Sequence, residues 1–484
     1  MATRENTARI GEGSMNQGVV FSKTSWLPLA TGVSWIFCGE AAGLVGLVYA
    51  LPAAFILFGA SFIGLAPGEK RRATTLGALG GAAGMVLGLL SPLFYGLGSG
   101  LVLVGLSAWT FIESGAAAAQ TLESVEDVPA PETGIKFSAQ VAIDEALLGA
   151  ISLMVPLPKK SEAAENAREV ADAATLFEAR GWLEKPEEYH RTPLPLEVPE
   201  IREASVMTRG GRLTFESLQF ESEYEPWDNE PGRDRWLSYA PNQIARASVL
   251  RHPGKPRPWL VGIHGYQMGK PLEDFGAFDP SYFHKKLGFN LLLPILPLHG
   301  PRKIGRFSGD GYLSGPVLDS IHAETQGLWD IRRLLTWVRA QEAPRIGVYG
   351  LSLGGFTASL LAGLEGGLDF VVAGIPMTSF SQTYWRHMPD HSLCNLLEAG
   401  LTEEKVEVVS RVISPMRFTP KVPLERRAIF GGIGDRLVAP VQVRDLARHW
   451  DEPAMRWYQG AHVTFMADAG VKELIADTLA PESV

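Results

Sequence analysis

The pattern of apolar and polar positions divides the 484-residue chain into two parts. Between residues 26 and 112, apolar residues follow one another with few interruptions, the main one being a charged segment at Glu69–Arg72. Beyond residue 211, short apolar runs alternate with longer stretches in which apolar residues recur every few positions. The first pattern is typical of helices surrounded by lipid, and the second of strands that alternate with amphipathic helices.

The N-terminal part contains two apolar stretches, residues 26–65 and 74–112, and the second has no charged residue. A bilayer core requires about 20 apolar residues per helix, so each stretch is long enough for a helical hairpin. Pro52 and Pro92 are the candidate turn or kink positions. The sequence therefore predicts three or four transmembrane helices in this region.

Small residues and charges refine this prediction. Gly77 and Gly81 are four residues apart, a spacing that lets helix backbones approach closely in lipid. The basic segment Lys70–Arg72 lies in a short loop, which predicts that this loop stays in the cytoplasm. If the second stretch crosses the membrane twice, the chain after it returns to the cytoplasmic side.

Residues 113–210 have the composition of a connector. An acidic, Pro-containing segment comes first, and Phe137–Met154 then has the apolar spacing of a helix. Prolines interrupt the chain again before residue 200. The sequence leaves open whether this connector packs on the C-terminal domain or on the membrane surface.

The C-terminal part is predicted to form a mostly parallel sheet with helices on both faces, because strands and helices alternate along it. A long helix is predicted at residues 316–340, before the central strand. In such sheets the reactive groups gather on the loops beyond the carboxyl ends of the strands. The predicted strands are residues 212–223, 243–250, 259–263, 290–293, 346–349, 370–375, 427–430 and 455–458.

A nucleophile motif follows the central strand. Gly350-Leu351-Ser352-Leu353-Gly354 has the form G-x-S-x-G, between a β-branched strand and an Ala- and Leu-rich helix. In a nucleophile elbow the Ser occupies a strained turn, and the two glycines allow the neighbouring strand and helix to pack closely. The motif therefore predicts that Ser352 is a nucleophile.

A Ser hydroxyl needs a base and a third group that orients this base. His462 follows the last predicted strand, and Asp435 follows the strand before it. The chain order Ser, Asp, His is the order that this architecture imposes. We therefore predict a triad of Ser352, Asp435 and His462.

Two backbone amides are predicted to bind the oxyanion that forms when the Ser attacks. Leu353 lies next to the nucleophile at the start of a helix, and Tyr266 lies in the His264-Gly265-Tyr266 loop after the strand at 259–263. Gly265 allows the backbone to approach a substrate closely, and His264 is expected to orient the loop.

A cationic loop is a candidate for substrate binding. Arg302, Lys303 and Arg306 follow the predicted strand at 290–293 and could pair with a phosphate or carboxylate of a substrate. Salt bridges to surface carboxylates explain the same residues equally well, so both interpretations stay open.

Composition excludes several classes of function. The net charge is −9 and the pI is near 5.7, which argues against a nucleic-acid partner. Cys38 and Cys394 are the two cysteines and lie far apart, so no disulfide framework is expected. No C-x-x-C or H-E-x-x-H motif occurs, and we expect neither a metal nor another cofactor.

The C-terminal domain resembles the α/β-hydrolase superfamily. The similarity is carried by the His264-Gly265-Tyr266 loop, the motif around Ser352, Asp435 within GDRLVAP and His462 within GAH. Within the superfamily, the chain is similar to the dienelactone-hydrolase and prolyl-oligopeptidase-like branch. The resemblance implies that the triad acts through an acyl-serine intermediate, but it implies no particular substrate.

Together these patterns predict a membrane-anchored serine hydrolase. A carboxylic ester, small or part of a lipid, is the expected substrate, and the bilayer is the expected partner. A peptidase or amidase using the same triad is an alternative, as is a binding protein with an idle hydrolase domain; the oligomeric state is left open. The predicted regions are a polar tail (1–25), a transmembrane region (26–112), a connector (113–210) and an α/β-hydrolase domain (211–484).

Overall fold

The structure of the protein is a computed structural model that describes residues 23–65, 69–154 and 160–480. It divides into two compact units. The first holds the N-terminal segment up to Met154 together with Gly432–Leu437 and Gln459–Phe465, and the second holds the remainder. Most of the predicted polar tail lies outside the described residues.

Within the described residues, the first unit contains five long helices. The two apolar stretches each form a pair of helices, with breaks near Ala42 and at residues 89–91. Pro52 therefore lies inside a helix rather than at a turn, whereas Pro92 is the first residue of one. The helices are α1 (Lys23–Ala41), α2 (Gly43–Gly64), α3 (Lys70–Gly88), α4 (Pro92–Ala119, interrupted at Gly96) and α5 (Ile135–Met154).

Glycines let the helices of this unit approach closely. A Cβ at Gly81 would lie 2.8 Å from the Ser107 carbonyl oxygen of α4 and 2.8 Å from the Phe111 nitrogen. A Cβ at Gly80 would lie 2.8 Å from the Leu57 side chain of α2. The glycines spaced along α3 thus bring it against two neighbouring helices, as their spacing predicts.

Three helices in the described part of the chain are long and apolar enough to cross a membrane: α2, α4 and α5. Large apolar side chains on α1, α2 and α4 also point away from the helix contacts. Such a surface on a soluble monomer would be unusual. The most exposed of these side chains are Phe37, Leu44, Phe55, Phe62 and Leu93.

The second unit is organised around a nine-stranded sheet. The strands lie in the order β1-β2-β3-β5-β4-β6-β7-β8-β9, with antiparallel pairing from β1 to β5 and parallel pairing among β5, β4, β6, β7 and β8. Strands β4 to β8 are fully buried, as expected for a sheet covered on both faces. The strands are β1 (Glu200–Thr208), β2 (Gly211–Glu221), β3 (Ile244–Leu250), β4 (Trp259–Ile263), β5 (Asn290–Ile295), β6 (Ile346–Leu351), β7 (Phe370–Gly374), β8 (Arg427–Gly432) and β9 (Ala454–Tyr458).

Helices surround this sheet, and the long α9 contributes many residues to the core. The predicted fold class, an α/β-hydrolase fold preceded by long apolar helices, is confirmed. The helices are α6 (Lys160–Ala179), α7 (Arg233–Leu237), α8 (Pro271–Ala277), α9 (Val317–Arg339), α10 (Leu353–Leu364), α11 (Phe380–His387), α12 (Asp390–Glu398), α13 (Glu403–Ser410), α14 (Pro440–His449) and α15 (Ala469–Leu479).

Part of the predicted connector belongs to this second unit. Val170 and Phe177 of α6 are fully buried in the same core as the sheet residues. The Asn166 side chain accepts a hydrogen bond from the Val317 backbone at 3.0 Å. The unit also includes β1, a strand that lies before the predicted domain boundary at residue 211 and that the sequence pattern did not indicate.

Candidate active site

The predicted nucleophile sits in a strained turn between β6 and α10. Ser352 has φ 57° and ψ −111°, a backbone conformation that side-chain-bearing residues rarely adopt. Its N–H donates to the Gly374 carbonyl at 2.9 Å, which ties the turn to β7. Strain of this kind persists only where the surroundings impose it, and it is typical of active sites.

The two glycines of the motif are required by packing. A Cβ at Gly350 would overlap the backbone of Gly354, and a Cβ at Gly354 would overlap the Ile263 carbonyl of β4. Backbone atoms on neighbouring elements cannot move away from such an overlap cheaply. The spacing of the glycines around Ser352 therefore follows from the close approach of β4, β6 and α10.

His264 orients the loop after β4. Its Nε2 accepts the Leu296 N–H at 3.1 Å, so its Nδ1 carries the proton and donates to the Gly265 carbonyl at 2.8 Å. Burial, with a smaller contribution from the positive charge of Arg302, lowers the pKa of His264 to about 4, so the ring stays neutral. This agrees with the predicted orienting role.

The loop that His264 holds lies close to the nucleophile. An ideal Cβ on Gly265 would be 3.6 Å from the Ser352 Cβ. The Gly265 carbonyl points toward His264, and the N–H of a trans peptide points the opposite way, so the Tyr266 amide faces away from the histidine. Leu353 is the first residue of α10, where a helix offers amides without intrahelical acceptors.

The predicted acid and base are joined directly. His462 Nδ1 lies 2.6 Å from Asp435 Oδ2, and both side chains are buried. Burial acts to lower the pKa of His462, but the Asp435 carboxylate, helped by Asp144, outweighs it and leaves this pKa above its ordinary value. Since Nδ1 is bonded to Asp435, Nε2 is the nitrogen that can serve as a base.

Two buried carboxyl groups of α5 contact the loops that carry this pair. Asp144 Oδ2 accepts the backbone N–H groups of Arg436 and His462, at 3.0 and 2.8 Å. Glu145 Oε1 accepts from Arg436 Nε at 2.7 Å. These contacts make α5 part of the surroundings of the acid and the base.

The local sequence pattern does not assign these residues to the site, although it contains a signal. Asp144 and Glu145 are adjacent acidic residues in the middle of a helix that is otherwise largely apolar. Acidic residues at such positions are costly unless they have a partner, so they indicate a buried contact. Which partner they meet depends on the three-dimensional fold.

Arg302 is held inside the fold. It is fully buried, and its guanidinium donates to the Ile295 and Asn242 carbonyls and pairs with Asp330 at 2.8 Å. These contacts favour the structural interpretation of Arg302, because a carboxylate within the fold already compensates its charge. The alternative explanation, a salt bridge to a carboxylate of the protein, describes the contact of Arg302 with Asp330.

Lys303 and Arg306 remain on the surface of the same loop. The Lys303 ammonium donates to the Arg306 carbonyl at 2.5 Å, and the Arg306 guanidinium lies 5.1 Å from the centre of the Phe307 ring. Both side chains are exposed. Binding of an anionic substrate group by these two residues stays a prediction.

His264 and His299 are neighbouring buried histidines. The rings of His264 and His299 are 5.1 Å apart, but His299 Nδ1 is 2.9 Å from the Pro297 carbonyl and His264 is fully engaged. Burial lowers the pKa of His299 to about 3, and the neighbouring His264 contributes. Within residues 23–65, 69–154 and 160–480, no group of three or more His, Cys, Asp or Glu side chains could hold a metal ion.

Comparison with known sequences reveals two close relatives from one species. No protein-family model matches the chain. Uncharacterized protein Rv2627c of Mycobacterium tuberculosis (strain ATCC 25618 / H37Rv) is 38% identical over 359 residues, which cover 73% of this chain and 84% of that protein. Uncharacterized protein MT2702 of Mycobacterium tuberculosis (strain CDC 1551 / Oshkosh) matches with the same identity and coverage. The chain belongs to the family of these two mycobacterial proteins.

Solved structures resemble this member of the mycobacterial family at low sequence identity. An acetyl xylan esterase from Paenibacillus sp. R4 is 16% identical, with a TM-score of 0.42 and coverage of 60% of this chain and 98% of the esterase. Acetyl xylan esterase 1 from Thermoanaerobacterium sp. JW/SL YS485 is also 16% identical, with a TM-score of 0.41 and coverage of 62% and 92%. The fold assignment itself rests on the strand order and strand directions.

Proposed function

We propose that this protein is a membrane-anchored serine hydrolase that cleaves carboxylic esters through an acyl-serine intermediate. The observation that carries the proposal is the 2.6 Å contact between His462 Nδ1 and Asp435, which fixes the imidazole so that Nε2 can act as the base. The strained backbone of Ser352 supports it, because a nucleophile elbow requires this conformation.

In the proposed reaction, His462 Nε2 takes the proton of Ser352 as Oγ attacks the ester carbonyl. The carbonyl oxygen becomes an oxyanion, which the Leu353 and Tyr266 amides stabilise. The imidazolium then gives its proton to the leaving alcohol, and the acyl group stays on Ser352. Water, activated by His462 in the same way, releases the acid and restores the hydroxyl.

Chain connectivity supports the proposed triad. Ser352 directly follows β6, and Asp435 comes three residues after the end of β8. These strands run parallel on either side of β7 in one sheet, so their carboxyl ends point to the same edge. His462 follows β9, the next strand in the sheet.

The proposal is tested with a fluorophosphonate probe on the full chain in mild detergent. We expect labelling of the wild type and none of Ser352→Ala. Ser359→Ala is the matched control, because Ser359 is a buried serine of α10 that bonds only the Gly355 carbonyl among its described partners. Folded wild type that stays unlabelled would indicate a binding protein with an idle hydrolase domain.

A panel of acyl esters of increasing chain length, with matched amides, then defines the substrate class. We expect hydrolysis of the esters, with a preference for longer chains if the substrate is a membrane lipid. Faster hydrolysis of the amides would instead identify a peptidase or amidase.

We further propose that α1 to α4 form the membrane region and that α5 lies at its cytoplasmic end. The exposed apolar side chains of α1, α2 and α4 support insertion. A Cβ on Gly434 would lie 2.9 Å from Phe137 of α5, so an irregular loop covers the first half of this helix. Irregular backbone is not exposed to lipid, which argues against α5 as a lipid-embedded span.

Four spans with Lys70–Arg72 in the cytoplasm leave the hydrolase domain in the cytoplasm. Cys394 is exposed on α12 and reports on this orientation. In intact cells, a membrane-impermeant maleimide is expected to label Cys394 only after permeabilisation. Labelling without permeabilisation would place the domain on the other side.

A further inference from the structure

A carboxyl group outside the proposed triad links the loops that carry its acid and its base. Asp144 lies in the middle of α5 and is fully buried. Its Oδ2 accepts the Arg436 N–H at 3.0 Å and the His462 N–H at 2.8 Å. Arg436 directly follows Asp435 in the chain. The same Asp144 oxygen therefore binds the backbone next to the acid and the backbone of the base.

Other hydrogen bonds also hold these two loops. Gly434 N–H donates to the Gly460 carbonyl at 2.8 Å, which aligns the loops two residues before His462. Leu437 N–H donates to Asp435 Oδ1 at 2.9 Å, which orients the acid. The hydrogen bond from the His462 N–H to Asp144 holds the backbone of the histidine itself, from which the imidazole projects.

Holding a carboxyl group here has a cost. Asp144 Oδ1 is buried and has no hydrogen-bond partner among the described residues. Burying a carboxyl with an unpaired oxygen is unfavourable, and an apolar residue would avoid this cost. Departures from such local rules concentrate at functional sites.

On the basis of the proposed function, we propose that Asp144 is a positioning residue that holds the Asp435 and His462 loops in the geometry needed for proton transfer. It acts through backbone hydrogen bonds and takes no part in the bond-making steps. Its role differs from that of Asp435, which contacts the imidazole directly.

Glu145 connects this arrangement to the helical bundle. Its Oε1 accepts from Arg436 Nε at 2.7 Å, and its Oε2 accepts from Thr75 Oγ1 of α3 at 2.5 Å. Both Glu145 and Arg436 are buried. Helices α3 and α5 of the first unit therefore help to position the loop that carries Asp435.

Three substitutions at one position separate geometry from charge. Asp144→Asn keeps an oxygen that can accept both backbone bonds but removes the charge. Asp144→Glu keeps the charge but moves the oxygens by one methylene, and Asp144→Leu removes the acceptor at similar volume. Gln140→Leu is the control, because Gln140 lies one turn earlier on α5 and its Oε1 has no hydrogen-bond partner among the described residues.

For the full chain in detergent, we expect kcat to fall about 100-fold in Asp144→Leu with KM changed less than about 3-fold, since small displacements of catalytic groups cost about this much. Asp144→Asn should keep kcat within about 5-fold of the wild type and exceed Asp144→Glu. Gln140→Leu should match the wild type. Melting temperatures are measured for every variant, and the order of Asn above Glu remains a test even where the Leu variant does not fold.

Three outcomes contradict the proposal in different ways. Wild-type kcat in the Leu and Glu variants, with normal labelling by the fluorophosphonate probe, overturns the positioning role alone. An activity of Asp144→Glu above that of Asp144→Asn also overturns it, because charge and not geometry would then matter. A wild type that neither labels nor turns over esters overturns the proposed function and this inference with it.

Discussion

The buried ion pair between Arg436 and Glu145 holds the loop that carries Asp435, and its contribution to stability can be measured. The two side chains are 5% and 0% exposed, and the Nε to Oε1 distance is 2.7 Å. Arg436→Met removes the guanidinium and leaves the Glu145 carboxylate in a buried site, with Thr75 as its remaining partner among the described residues. We expect this variant to be strongly destabilised.

The expected magnitude follows from the geometry. At an effective dielectric constant of about 20, opposite charges about 4 Å apart attract by about 4 kcal/mol. Breaking a buried pair by removing one partner costs about 3–5 kcal/mol, because the other charge stays uncompensated. For a unit of about 150–250 residues, 1 kcal/mol shifts Tm by about 2–4 °C, so Tm should fall by roughly 6–20 °C.

The double variant Arg436→Met/Glu145→Met should recover most of this loss. Replacing a whole buried pair with apolar residues of similar volume is often close to neutral. The Thr75 hydroxyl then still has the Arg71 carbonyl as an acceptor, at 2.8 Å, so no donor is left unpaired. A buried charge is thus removed together with its partner.

Thermal unfolding of the detergent-solubilised chain measures these effects. Arg456→Met is the matched control, since Arg456 pairs with Asp468 at 3.4 Å on the surface and such pairs contribute about 0–1 kcal/mol. A double variant with a Tm no higher than that of Arg436→Met would refute the reasoning, as would equal losses in Arg436→Met and the surface control.

Three further predictions concern the base, the elbow and the cationic loop. The value of kcat/KM should rise with pH through the pKa of His462, which lies above its ordinary value, because only the neutral imidazole can accept a proton. Asp435→Asn should move this rise in kcat/KM to lower pH, because the carboxylate that raises the pKa is removed, and should reduce kcat by about 10⁴-fold. Gly354→Ala should prevent folding, since its Cβ would overlap the β4 backbone. Gly276→Ala should express normally, because its added Cβ has no described atom within 4 Å apart from its chain neighbours and the backbone of its own helix. Arg302→Met should lower Tm without changing the preference between anionic and neutral esters, because the guanidinium is paired with a buried carboxylate; a changed preference at unchanged Tm would contradict this.

Much of the second unit was predictable because its signals are local. The β-branched runs at 259–263 and 346–351, the G-x-S-x-G motif and the periodic apolar face of α9 all act over a few residues, and the strands and helices form where these patterns occur. The strain at Ser352 was also predictable, because the motif is defined by the turn that it forms. The edge strand β1 was missed, since its residues are mostly exposed and show no clear alternation of apolar and polar positions.

Charged residues were harder to interpret from the sequence. Arg302 and Lys303 are adjacent and look alike in the sequence, yet one is buried against a carboxylate and the other is exposed. The difference depends on the position of Asp330, which lies in a separate helix. The role of a charged side chain depends on the residue it pairs with. When that residue is distant in the chain, a local sequence pattern does not reveal the pair.

The sequence by itself determined the alternation of strands and helices, the pairing of apolar helices at the N-terminus and the order of the proposed nucleophile, acid and base, because each is encoded by neighbouring residues or by chain order. Only the tertiary structure decided that Asp144 and Glu145 meet the loops carrying Asp435 and His462, about 300 residues away in the chain. Hydrogen bonds and burial act through space, so the partner of a buried carboxyl group is set by how helices and loops pack.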